Sequence, residues 1–257
     1  MTATLEQQQA GRLLTADPAE LRELMCKASL GYWTQEKMKL PMSPLHWEWC
    51  RIRQTEKRIA IVAPREHAKS ETFTVNGTAW ESVYTPGLWT YIFAQTFDQS
   101  KAMLQKVRNA IQISNPEMIA NAIVDNKTTL QLSNYAKIEC AGAGKATRGV
   151  HPDVIVGDDV LSDGSAATKK QRDDVRKWWF GAVGGMAHPG TDRTLGMGKN
   201  SVSLRFPPTR VYLVGTPFHQ QDLLMDMRKN PVWRFRRYAA EFHVDDLVDG
   251  TLAVEVS

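Results

Sequence analysis

The sequence predicts an α/β domain, a mainly parallel central sheet flanked by helices with a helical extension at the N-terminus. Three observations point there. Short apolar or β-branched runs at 58–63, 89–94, 153–157 and 210–215 have the length of buried strands. Between them lie longer stretches whose apolar residues recur every three or four positions. The composition, 42% hydrophobic and 23% charged over 257 residues, is that of a globular chain able to bury a full core. At roughly 100–200 residues per domain, the length suits one large domain or two small ones.

Residues 1–57 read as the helical extension. Asp17 and Pro18 open a helix in which Leu21, Leu24 and Met25 share a face. Leu45, Trp49 and Ile52 place a second helix over 44–53. The core, 58–245, begins with strand 58–63 and a helix over 69–84, closed by Thr85, Pro86 and Gly87. Strand 89–94 and an amphipathic helix over 98–113 follow. Residues 128–132 and 137–140 suit a hairpin with Asn134 in its turn. Strand 153–157 precedes a charged helix over 166–183. The Gly- and Pro-rich stretch 184–208 has no sustained period and reads as a long loop or irregular hairpin. Strand 210–215, a helix over 220–229 and strand 233–241 complete the core, and 246–257 reads as the start of a linker. There is no internal repeat.

Several classes are excluded at this level. No apolar run reaches the ~18 residues of a membrane-spanning helix, and the polar, Gln-rich N-terminus lacks the apolar centre of a secretory signal. Cys26, Cys50 and Cys140 are scattered and form no CxxC pair, which implies reduced thiols in a cytosolic setting and no zinc site. The net charge of +4 permits a nucleic-acid partner without requiring one.

Ligands of open parallel sheets bind beyond the carboxyl ends of the strands, and three such ends carry chemistry. The first is Ala63, Pro64, Arg65, Glu66, His67, Ala68, Lys69 and Ser70, leading to Glu71 in the helix. Its spacing is that of a phosphate-binding loop, with alanines in place of both glycines. Amides opening the helix can wrap phosphate oxygens, Lys69 can reach the β- and γ-phosphates of ATP, and Ser70 can ligate Mg²⁺. The bland alternative is an ordinary βα turn. The second end delivers adjacent carboxylates, Asp158 and Asp159, from a buried strand. One can serve a Mg²⁺ shell while the other orients or deprotonates water; a solvated turn is the alternative. The third end is Gly215, Thr216 and Pro217, where the Thr216 hydroxyl can sense a phosphate. Gly142 to Lys145 looks like a glycine loop but is a decoy. Glu139 stands where its first glycine belongs, Ala146 replaces the metal-binding hydroxyl, and Pro152 follows too soon for a helix.

In this order, the three ends resemble the ATPase domain of a tailed-bacteriophage large terminase subunit, the DNA-packaging motor. The resemblance spans about residues 40–245. It rests on Pro64, Arg65, Lys69 and Ser70, on Arg148 and Gly149 ahead of the strand ending Asp158-Asp159, and on Gly215 to His219. Leu45 and His46 resemble that family's adenine-side segment. What the resemblance implies is a P-loop NTPase fold of the type with an additional catalytic carboxylate. ATP and Mg²⁺ lie at Pro64–Glu71, Asp158 holds the metal, Asp159 is the catalytic carboxylate, and Thr216 couples hydrolysis to DNA movement. The pattern usually has Glu where this chain has Asp159. Arg65 and Arg148 are both candidates for the arginine that completes the site, the second in trans. The implied partners are double-stranded DNA, a homo-oligomeric ring (a pentamer by resemblance), the phage portal and the small terminase subunit. The implied setting is the host cytoplasm at the procapsid portal, with no membrane.

The family continues into a metal-dependent nuclease. Asp245, Asp246 and Asp249 are acidic, but too few residues follow them to build a nuclease sheet, so they read as an acidic linker and the segment as the motor domain alone. Two stretches are candidates to face DNA. One contains Lys169, Lys170, Arg172, Arg176 and Lys177 beside Trp178 and Trp179, although both tryptophans read better as core. The other is 184–208, with Arg193, Lys199 and Arg205. Two rival readings stay open: a helicase-like DNA-dependent ATPase, which normally needs a second motor lobe, and a nucleotide-binding structural module without turnover.

Overall fold

The computed structural model describes residues 17–145, 149–196, 198 and 201–238, with a short pairing of Leu247–Val248 and Thr251–Leu252. Arg148, Lys199 and most of the 246–257 linker lie outside the described residues. Helices α1 (Pro18–Ala28), α2 (Leu30–Lys37) and α3 (Pro44–Thr55) open the chain. Pro18 and Pro44 stand in first turns, where a missing N–H costs nothing, and Ser43 and His46 form a capping box on α3. β1 (Arg58–Val62) leads to α4, wound as a π-helix over Ser70–Asn76 and as an α-helix over Gly77–Tyr84. β2 (Trp89–Ala94) precedes α5 (Phe97–Ser114), which Thr96 and Gln99 cap, and a short α6 (Pro116–Ala120). β3 (Val124–Asp125), β4 (Thr129–Gln131) and β5 (Lys137–Gly142) follow, with Asn134 in the β4–β5 turn as its turn chemistry predicts. Next comes β6 (Val154–Asp158).

The single helix expected over 166–183 is broken. α7 (Asp163–Ala167) ends at Thr168, whose extended backbone leaves the helical path and whose hydroxyl accepts from Gln171 N to cap α8 (Lys169–Lys177). A threonine serves a cap better than a helix interior. Trp178–Val183 continues as a second π-helical stretch. The 184–208 segment adopts the hairpin alternative, β7 (Thr191–Leu195) paired antiparallel with β8 (Val202–Phe206). β9 (Arg210–Gly215) follows. α9 (Leu223–Met227) is shorter than the 220–229 expectation because Asp222 caps it from inside that range. β10 covers Arg234–Arg237.

Eight strands form one sheet in the order β10-β1-β9-β6-β2-β5-β4-β3. The pairings from β10 to β5 are all parallel, and β4 and β3 add on antiparallel. Both faces are covered, so the central strands alternate between two apolar layers rather than between core and water. Ile59, Ile61, Val154, Val156 and Tyr212 meet Trp49, Ile52 and Phe73 from α3 and α4. Ala60, Phe93, Ile155 and Leu213 meet Trp179, Val183 and Leu224 on the other side. A further cluster joins Cys26, Leu30 and Trp33 to Leu104 and Ile138. Cys26, Cys50 and Cys140 are free thiols in this interior.

One charged group lies inside the core. Arg53 of α3, 0% exposed, forms a two-point pair with Glu81 of α4 at 2.7 and 2.8 Å and stands 3.9 Å over the Tyr212 ring. Its Nε donates to the Phe73 carbonyl in the π-helical stretch, and Arg210 of β9 donates to the same Glu81 at 2.5 Å. α3, α4 and β9 are thereby bound through one carboxylate.

Candidate active site

The carboxyl ends of β1, β6 and β9 lie side by side because β9 pairs with both β1 and β6. Residues from all three sequence-predicted strand ends therefore meet in one place. Between β1 and α4, Glu66 and Ala68 take positive φ of 67° and 55°. The loop thus holds the left-handed geometry that glycine would give, at a steric cost. The first intrahelical bond of α4 runs from Thr72 N to Ala68 O, so the amides before it have no acceptor within the helix. Those amides open onto a cleft of about 390 Å³ lined by Arg65, Glu66, Lys69, Ser70, Asp159 and Thr216 among others. His67 turns away to hydrogen-bond the Arg65 carbonyl through Nδ1 at 2.9 Å.

Lys69 is only 5% exposed. Its ammonium donates to the Thr216 hydroxyl at 3.2 Å and the Pro64 carbonyl at 3.4 Å, and lies 3.9 Å from Asp159 Oδ2. The Thr216 amide donates to Asp159 Oδ1 at 3.1 Å. Asp159 itself sits at φ 42°, a strained backbone of the kind that clusters at functional sites. The two aspartates differ in environment. Asp159 lines the cleft, whereas Asp158 is buried and accepts from the Ser70 hydroxyl at 2.7 Å. Burial pushes the Asp158 carboxyl up to about 6, against the pull of the nearby Thr74 and Ser70 hydroxyls.

Asp158 Oδ2 is buried with no close hydrogen-bond partner among the described residues other than the nearby Thr74 hydroxyl. A hydroxyl, a carboxylate and unspent oxygens form a hard donor set of the sort that Mg²⁺ takes when phosphates complete its shell. No group of three or more His, Cys, Asp or Glu placed for a metal occurs among the described residues. The site can accordingly bind a polyphosphate–Mg²⁺ complex and present a carboxylate beside it.

Other predicted residues fall elsewhere. Leu45 is buried in the core and His46 caps α3, edge-on to Trp49. Arg65 projects at the cleft rim, 5.9 Å from the Phe218 ring centroid. Asp153, the acid nearest Arg148 in sequence, is bound by Arg193, His188 and the Trp89 amide. That contact anchors the β7–β8 hairpin and commits Arg193 inward. Arg205 pairs with Asp192. In the other basic stretch, Arg172 donates to the Ala166 carbonyl and Arg176 is held by Asp173 and Asp226. Trp179 is core, and Trp178 packs on Phe93. Lys169, Lys170 and Lys177 remain exposed.

The cleft also contains Gln95, Gln99 and Lys106, which the sequence reading passed over. The strand-end rule reaches Gln95 when applied to a fourth strand, 89–94. A larger groove, about 710 Å³, lies at the amino ends of β1 and β9 and contains none of the predicted residues. The amino ends of parallel strands are the wrong side for a nucleotide.

No family model and no curated protein matches the sequence. Among solved structures, the ATPase domain of the large terminase of Thermus phage P74-26 matches with a TM-score of 0.56 at 12% identity, over 80% of this chain and 84% of that one. An arginine-to-alanine mutant of the same domain matches over the same shares with a TM-score of 0.54 at 11% identity. The fold is therefore that of a terminase ATPase domain, the architecture that the strand-end motifs resemble.

Proposed function

We infer that the chain hydrolyses ATP and uses the energy to move double-stranded DNA into a viral procapsid. The observation that carries this reading is the meeting of Lys69, Ser70, Asp158, Asp159 and Thr216 at the carboxyl edge of one parallel sheet. Amides from Arg65 to Glu71 wrap the phosphates, and Lys69 exchanges its contacts with Thr216 and Asp159 for the β- and γ-phosphates. Ser70 and Asp158 hold Mg²⁺. When bound, the ion neutralises charge on the phosphate oxygens. Asp159 then receives a proton from the attacking water. The Lys69–Thr216 contact supports a coupling role for Thr216, since a hydroxyl touching the phosphate-binding lysine feels whether phosphate is present.

Arg65 at the cleft rim and Arg148 are the two candidates to stabilise the transferring phosphoryl group. Arg148 would act from a neighbouring copy in a ring, five-membered by the terminase resemblance. In that setting DNA, a portal and a small terminase subunit are the partners, in the host cytoplasm at the procapsid portal. The test is Mg²⁺-dependent ATP hydrolysis by the purified chain, with and without duplex DNA. Lys69→Ala and Asp158→Ala should lose Mg²⁺-ATP binding. Asp159→Asn should keep binding and lose about 10²–10⁴-fold in rate. Wild-type turnover no higher than that of Lys69→Ala would refute the reading, and equal loss of ATP affinity in both aspartate variants would refute the division of roles.

A further inference from the structure

β2 and β6 are neighbours in parallel register, with Ala94 opposite Asp158. The next residue on each strand, Gln95 and Asp159, therefore leaves the sheet edge beside the other, and both line the cleft that contains Lys69, Ser70 and Thr216. Two other polar side chains lining this cleft are already engaged. Gln99 accepts from the Thr96 amide in the α5 cap. Asp159 Oδ1 is taken by the Thr216 amide and Oδ2 lies 3.9 Å from Lys69. The half-buried Gln95 carboxamide makes no side-chain hydrogen bond to any described residue.

We propose that Gln95 is a catalytic residue that orients the water attacking the γ-phosphorus; this rests on the ATP-hydrolysis reading above. A carboxamide is donor and acceptor at once. Its Oε1 accepts one water hydrogen, and its Nε2 donates to an equatorial oxygen of the transferring group. An aspartate is one methylene shorter than a glutamate and is here drawn towards Thr216, so a second polar group next to it completes the grip on the water. In the step, the water oxygen bonds to the γ-phosphorus while the bond to the β-phosphate oxygen breaks, its electron pair leaving on ADP. One water proton passes to the Asp159 carboxylate and on to solvent; the other stays on the product phosphate.

The test compares wild type, Gln95→Ala, Gln95→Asn and Lys69→Ala in the full chain. Steady-state hydrolysis is measured beside the affinities for Mg²⁺-ADP and for Mg²⁺-ADP with fluoroaluminate, a mimic of the planar transferring group and its water. Gln95→Ala should lose about 10²-fold in kcat, the scale of one preorganised hydrogen-bonding group. Its KM and ADP affinity should stay within about twofold, which also shows that it folds, while its fluoroaluminate affinity falls in parallel with kcat. Gln95→Asn should fall between. Wild-type kcat in Gln95→Ala, or ADP affinity lost in step with kcat, would overturn the proposal while leaving the ATPase reading intact. If wild type turns over no faster than Lys69→Ala, the ATPase reading fails and takes the proposal with it.

Discussion

Ala68, at the mouth of the cleft, is held in a strained conformation. At φ 55° its β-carbon crowds the backbone, a strain of about 1–2 kcal/mol that glycine would escape. Part of that relief is offset because glycine loses more freedom on folding. Ala68→Gly is therefore expected to gain about 0.5–1 kcal/mol, seen by calorimetry as a melting midpoint ~1–4 °C higher. An unchanged or lower midpoint would mean that the loop holds no such strain. At this scale most of the residues that meet in the cleft are legible in the sequence. Lys69, Ser70, Asp158, Asp159 and Thr216 stand immediately beyond apolar runs, where charge and hydroxyls are conspicuous. Gln95 escaped because it is uncharged and follows a run with no motif. Its meaning comes only from the pairing of Ala94 with Asp158, a non-local fact.

Elements show the same division. The central strands were readable because burial on both faces makes them continuous apolar runs. The 166–183 region misled because its charges continue across Thr168, while the cap depends on one hydroxyl finding the Gln171 amide. The π-winding of α4 over Ser70–Asn76 left no mark on the periodicity. It is bounded by tertiary contacts, with Ser70 on Asp158 at one end and the Phe73 carbonyl on Arg53 further along. The shared carboxylate of Glu81 is the test at this scale. Glu81→Ala would strand two guanidinium groups, one of them wholly buried, at a cost of about 3–5 kcal/mol. Urea unfolding should show that loss as a lower midpoint. A loss below about 1 kcal/mol would show that water or a repacked neighbour replaces the carboxylate.

For the whole molecule, the fold class was predictable and the strand order was not. Alternating strands and helices announce a parallel sheet. That β9 would insert between β1 and β6 follows from crossovers whose lengths leave several orders open. Yet this insertion joins the loop after β1, the paired aspartates and Thr216. Residues distant in sequence therefore had a common destination that only the topology discloses. α3 also belongs to this larger unit, since Trp49 and Arg53 are buried against strands that follow them in the chain.

The rims of the sheet carry one more consequence, for how copies of the chain behave in crowded solution. One rim, β3, is two residues long, and the other, β10, contains Arg234, Arg236 and Arg237. Short or cationic borders deter strand-to-strand zippering between molecules. A second molecule approaching β10 in the same orientation would set arginine against arginine, so a filament built by extending the sheet is blocked. Growth by adding strands to this sheet is thereby disfavoured. Replacing Arg234 and Arg236 together with threonine keeps the β-propensity while removing two charges. Static light scattering at high protein concentration should then record faster, open-ended growth than wild type. Equal growth would show that these arginines do not act as the sheet's guard against gelation.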